Sequence, residues 1–98
     1  MEFCGHIFEG PYYDWGGLER RSGIYVVTDL DGGETFVVDV GAGRDVRRDI
    51  ESHDRKGCWA RVIQGVPCLY VRYMESLAEA YEIEQAIRRE HTPPCGGE

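Results

Sequence analysis

The chain carries a single lysine, Lys56, and its eleven basic side chains stand against eighteen acidic ones, for a formal net charge of −7. Sequence-independent affinity for nucleic acid comes from Lys and Arg clustered against phosphates. The shortage excludes a protein held on nucleic acid by charge alone, although Arg44, Arg47, Arg48, Arg55 and Arg61 leave room for a local patch. The overall field slows an approaching polyanion where a basic protein would steer it. No apolar run approaches the length of a membrane span, which excludes a spanning helix. The opening residues Met1-Glu2-Phe3-Cys4-Gly5-His6 hold neither a basic n-region nor an apolar h-region. No secretory signal is expected there, and the expected compartment is the cytoplasm. There is also no C-x-x-C pair. The four cysteines, Cys4, Cys58, Cys68 and Cys95, fall at wide and unequal spacings. That pattern argues against a zinc ribbon, and in a reducing cytosol it predicts four free thiols.

What is present fits one small globular domain: 98 residues, 42% hydrophobic and 30% charged. Residues 1–21 are rich in aromatics (Phe3, Phe8, Tyr12, Tyr13, Trp15) broken by glycines and Pro11, and read as an N-terminal arm or a short edge strand. Two stretches, 22–28 and 35–40, are rich in β-branched and aromatic residues and predict strands. Asp31-Gly32-Gly33 between them is a hairpin turn signal, so the two should pair antiparallel. Past Gly41 the spacing of Val46, Ile50 and His53 predicts a helix with Asp45 as N-cap, ending by Gly57. Trp59 to Ile63 reads as a short strand and 68–74 as a third one. Ser76-Leu77-Ala78-Glu79 is a capping box opening a helix that runs to about His91 and stops before Pro93-Pro94.

Two helical wheels single out polar residues. On the last helix Leu77, Ala80, Tyr81, Ile83 and Ile87 form the apolar arc, and Glu84 lies inside it. A lone carboxylate on an apolar face needs a cation, a metal or a set of donors. The plain alternative is a carboxylate at the arc's edge paired with an arginine or a tyrosine. On the first helix Asp49 and His53 are four apart on the face that also carries Val46 and Ile50. They are either a surface Asp–His pair or a polar pair lining a site opposite Glu84.

Gly23-Ile24-Tyr25, followed after the hairpin by Asp39-Val40-Gly41, resembles the paired motifs of the GIY-YIG nuclease family. The run from Gly41 through Asp45, Asp49 and His53 is similar to that family's first helix. Glu79-Ala80-Tyr81-Glu82-Ile83-Glu84 with Pro93-Pro94-Cys95-Gly96 is similar to its closing helix and tail. The resemblance spans residues 22–96. It implies an α/β fold with a small three-stranded antiparallel sheet flanked by helices, in a domain of residues 22–98 preceded by the arm. It further implies one divalent metal, Mg or Mn, held by Glu84, a catalytic tyrosine at Tyr25, and His53 at the family's His/Tyr position. Nucleic acid is the implied partner, weakened here by the acidic charge. A protein partner is expected through the arm, and no membrane.

The departures weigh as much as the matches. Asp39 replaces the second tyrosine, Asp49 replaces the catalytic arginine, and Gly96 replaces the terminal asparagine. Arg48 is one position off and turned about 100° away. Losing a transition-state charge stabiliser costs about 10²–10³ in rate. A carboxylate in its place adds repulsion on the order of 3 kcal/mol at roughly 6 Å and an effective dielectric of about 20. The expectation is a divergent domain that has lost family-type DNA cleavage and serves as a binding or interaction module. The alternative is a metal-dependent endonuclease with a rebuilt site gathered from Asp39, Asp49 and Glu84, since hard oxygen ligands suit Mg²⁺ and Mn²⁺.

Overall fold

Asp31 and Glu34 close the hairpin on either side of Gly32 and Gly33, both at positive φ (63° and 82°), as a two-residue turn between twisted strands requires. The flanking strands are β4 (Gly23–Asp31) and β5 (Glu34–Gly43), and they pair antiparallel as the sequence predicts. The computed structural model describes residues 1–96, so the last two residues of the expected domain lie outside the description. Pairing slips between Val27 and Thr28: Val27 faces Asp39 while Thr28 faces Val37. Val38 is therefore the extra residue of a β-bulge, which bends β5 and re-aims its side chains.

Strand β6 (Val66–Tyr73) pairs with the other side of β4. Its outer edge is covered by β3 (Glu9–Tyr12), giving the order β3-β6-β4-β5. The α/β class stands, but the sheet has four strands where three were expected. The fourth comes from the N-terminal arm, for which a short edge strand was the alternative reading. A two-stranded ribbon of β1 (Glu2–Phe3) and β2 (His6–Ile7) precedes it. Phe3 and Phe8 are buried, edge to face at 5.2 Å, with Tyr70 5.8 Å from Phe3. The aromatics that looked like an irregular arm are core residues, because irregular backbone can still deliver large apolar side chains to a sheet face.

Alternation along the strands builds two cores. Ile24, Val26, Val40 and Tyr70 point to one face, where α3 (Leu77–His91) packs with Ala80, Ile83 and Ile87. Tyr25, Val27, Val38, Leu69 and Val71 point to the other, under α1 (Val46–Glu51), α2 (Lys56–Val62) and Leu18. Each large side chain fully buried in this way contributes about 1.5–3 kcal/mol. The predicted caps are in place. Asp45 accepts from the Arg48 amide at 3.0 Å, and Ser76 accepts from the Glu79 amide at 3.2 Å.

Three further expectations are corrected. The first helix ends at Glu51, so His53 lies just past it and not on its face. Residues 59–62, read as strand, belong to α2, because Trp59 packs into the second core and its indole finds a buried acceptor there. Tertiary contacts of that kind override local β-propensity. Cys58 and Cys95 form a disulfide across 37 residues, where four free thiols were expected. The fold brings their Cα atoms to 6.0 Å, an apposition that sequence spacing does not encode. Cys4 and Cys68 remain free thiols. No helix of the described residues is long and apolar enough to cross a membrane.

Candidate functional site

The polar residues singled out in the sequence fall into two neighbouring groups. The first lines a small cavity of about 250 Å³, formed by Tyr25, Asp49, Ser52, His53 and Asp54. Tyr25 stands on β4 opposite Gly41 and is buried. A Cβ on Gly41 would fall 2.3 Å from the Tyr25 hydroxyl, and one on Gly43 would fall 2.0 Å from Asp49 Oδ2. The two glycines of β5 thus make the room in which the phenol and the carboxylate sit. His53 packs edge-on against Tyr25 at 5.9 Å and tilts over Trp59 at 4.7 Å.

Burial sets the protonation states in this cavity. It raises Tyr25 well above a normal phenol, and the charges of Asp49 and Asp39 add to the rise. It also raises Asp49, with Asp45 pushing the same way. Burial, followed by the Arg55 charge, lowers His53. The His53 ring is 7% exposed, and its Nδ1 accepts the Arg55 amide hydrogen at 3.1 Å. Asp54 Oδ1 lies 3.4 Å from the same nitrogen. Because Nδ1 is already an acceptor, that approach is no ion pair and the ring is neutral.

The second group centres on Asp39, whose side chain is 0% exposed. Its Oδ2 accepts from Arg55 Nε at 2.7 Å and from Trp59 Nε1 at 2.8 Å. Its Oδ1 accepts from Arg88 Nη2 at 3.1 Å and from the Val40 amide at 2.8 Å. Burial works against the charged form, but the hydrogen bonds from Arg55 and Trp59, the Arg55 charge and the Arg88 bond outweigh it and hold the carboxyl below its ordinary range. Arg55 and Arg88 approach from opposite faces of the sheet. Arg55 immediately precedes α2, while Arg88 extends from α3 around the free edge of β5, where it also bonds the Val40 carbonyl.

Glu84 belongs to this second group. It sits at the edge of the apolar arc, 12% exposed, with Oε2 3.4 Å from Arg88 Nε and Oε1 bonded to Gln85. Tyr81, placed in the arc from the sequence, is 49% exposed, so the buried stripe is Ala80, Ile83 and Ile87. Tyr25, Asp49 and His53 therefore share one cavity, and Asp39 and Glu84 share Arg88. The residues that sequence reasoning missed are Arg55, Trp59 and Arg88. Arg88 was visible as the i+4 partner of Glu84. No local pattern marked the other two.

The donor set does not fit a divalent ion shared by Asp39, Asp49 and Glu84. Both oxygens of Asp39 accept from arginines, Trp59 and a backbone amide, and Glu84 is turned to Arg88. Among the described residues no three His, Cys, Asp and Glu side chains converge as metal ligands do. Compared with protein-family models, with curated proteins and with solved structures, the chain finds no match in any of the three.

Proposed function

We propose that this chain is a GIY-YIG-like scaffold that has lost family-type DNA cleavage and acts as a binding or interaction module. The observation that carries this reading is the environment of Asp39. At the position of the second tyrosine of the motif stands a carboxylate whose acceptor sites are taken by Arg55, Arg88 and Trp59. A group so committed neither activates a water nor ligates a metal, because either task would strip hydrogen bonds from two partly buried cations. At the position of the arginine, Asp49 places an acid beside Tyr25, and both groups are pushed toward their neutral forms. A phosphate arriving there meets no cation within the cavity lining.

The surface proposed for a protein partner is the exposed part of the N-terminal segment. Tyr13 and Trp15 stand 65% and 39% exposed. They rim a mainly apolar cavity of about 300 Å³ with Trp59, Ile63, Pro67 and Leu69 in its lining. The test uses the full chain with supercoiled and branched DNA in Mg²⁺ or Mn²⁺, alongside calorimetric titration of Mn²⁺. The expected result is no nicking and no saturable heat. Nicking by the unaltered protein that vanishes in Glu84→Ala would overturn the reading in favour of a rebuilt metal site.

A further inference from the structure

We propose that the Cys58–Cys95 disulfide is a thiol-sensitive latch that holds the C-terminal segment over the Asp39 cluster and the free edge of β5. The inference stands whether or not the chain cleaves nucleic acid. Among the described residues β5 has a neighbour on one side only, and an open edge presents unpaired amides and carbonyls. At the bulge, the Val38 carbonyl accepts the Cys95 amide hydrogen at 3.0 Å. The Cys95 carbonyl in turn accepts Arg88 Nη1 at 3.3 Å. One residue on, a Cβ at Gly96 would lie 2.6 Å from Arg55 Nε and 3.0 Å from Asp39 Oδ1, so the backbone there is the lid of the ion cluster. Residues 92–96 thus seal a fully buried carboxylate and finish a sheet edge with very little backbone pairing.

The covalent tie is placed where it controls both arms of the cluster. Cys58 stands in the first turn of α2, three residues after Arg55 and beside Trp59, the two Oδ2 donors. Cys95 is on the segment that Arg88 grips from α3. Helix α2 has only seven residues and no side-chain cap, so its own propensity does little to hold it. The two sulfurs also differ in access. Cys95 is completely buried and Cys58 is partly exposed, which directs an incoming thiolate to the Cys58 sulfur. Cys68 belongs to the core on the other face of the sheet. Cys4 donates to Glu90 and is pushed up to about 11 by burial and that bond, so neither is a ready internal attacker.

A dithiol reductant opens the latch in two steps. Its first thiolate attacks Cys58 Sγ, the Cys58–Cys95 bond breaks, and Cys95 leaves as a thiolate that takes a proton. The second thiol of the reductant then resolves the mixed disulfide, releasing Cys58 as a thiol. The reductant ends as its disulfide, and two electrons and two protons have moved to the protein. The 92–96 segment then keeps the Thr92–Arg88 and Cys95–Val38 backbone hydrogen bonds, the Arg88 side-chain bond to the Cys95 carbonyl and the burial of Pro93, and water reaches Asp39.

The experiment compares the full chain as purified with the same chain in excess dithiothreitol at neutral pH, by alkylation mass and hydrogen exchange. Labelled in denaturant, the purified chain should alkylate at two cysteines and the treated chain at four. On reduction the Cys95 amide should exchange on the order of 10²-fold faster than the amides of β4 and β6, whose protection falls only as far as the global loss of the cross-link requires. Cys58→Ser without reductant should reproduce that pattern, and Cys4→Ser should leave the purified chain unchanged. Four reactive cysteines in the purified chain would overturn the proposal. So would unchanged Cys95 exchange once four thiols are confirmed. Cys95 exchange no faster than that of β4 in the reduced chain would overturn it as well, since the segment would then open only with the whole domain.

Discussion

Replacing Asp39 by asparagine is the most direct probe of the cluster, because it keeps the shape and removes the charge. The wild-type carboxylate is fully buried and offers acceptors to Arg55, Arg88, Trp59 and the Val40 amide. An asparagine keeps one oxygen and turns an amide NH₂ toward a guanidinium. Breaking one partner of a buried pair costs about 3–5 kcal/mol. Arg55 and Arg88 are 34% and 18% exposed and recover some solvation, which places the loss at the lower end, about 3 kcal/mol. For a domain of this size that lowers the melting temperature by roughly 12–24 °C. Thermal and urea unfolding at pH 7 read it. The pH arm has a definite sign. The folded-state pKa of Asp39 is lowered, so its contribution is complete above the unfolded carboxyl value of about 3.9. It is lost as pH falls through the lower folded value, and the gap between wild type and Asp39→Asn should narrow below about pH 4. A metal-site carboxylate held among other carboxylates behaves oppositely, since its removal without metal relieves repulsion. A variant within about 1 kcal/mol of wild type at pH 7, or more stable than it, would refute the structural assignment of Asp39.

The cross-link closes 37 residues of separation, so the double variant Cys58→Ser with Cys95→Ser should lose about 4 kcal/mol of unfolding free energy by loop entropy, measured in urea without reductant. Gly41→Ala drives a methyl into the Tyr25 hydroxyl and should cost about 1–3 kcal/mol by overpacking; a neutral result in a thermal melt would mean that the Tyr25 ring is free to swing away. His53 is lowered by burial and by Arg55, so its NMR titration midpoint should fall below about 6.5. The stability it contributes as a neutral ring is present above that value and erodes as pH falls toward the folded midpoint. A midpoint above 6.5 would show that the Asp54 approach is a true ion pair.

The hairpin, both helix caps and the long closing helix were legible because each rests on local chemistry. Asp31-Gly32-Gly33 fits the turn, Asp45 and Ser76 are good N-caps, and Pro93 stops a helix. Helical spacing put Asp49 and His53 together, although the helix ends before His53, and it did not place Tyr25 beside them. What was not legible depends on chain reversal in space. An edge strand in the arm was one of two readings, but its residues were not legible, because Glu9-Gly10-Pro11-Tyr12 has no strand alternation and pairs with β6 through an irregular register. Trp59 sits in a helix because it reaches Asp39 from there. The disulfide follows from the docking of a tail that leaves α3 through Thr92 in a left-handed conformation.

The same non-local contacts bear on the proposed likeness to the GIY-YIG motif at the positions where the sequence departs from it. Taken singly, Asp39 and Asp49 look like two lost catalytic groups, and restoring tyrosine and arginine looks like a repair. In the folded chain Asp39 is the common acceptor of Arg55, Arg88 and Trp59, and the Gly96 backbone lies close against its carboxylate. A tyrosine at 39 would leave both guanidinium groups without their shared acceptor and would need volume that the 92–96 segment occupies. Asp49 is separable: its carboxylate lies against Gly43 at the rim of the cavity, bonded to neither arginine. Asp49→Arg is therefore the tolerable substitution of the two and Asp39→Tyr the disruptive one. Asp39, Arg55, Trp59 and Arg88 form one set in which each member needs the others, so the departure at Asp39 reaches through the fold and is not reversed at a single position.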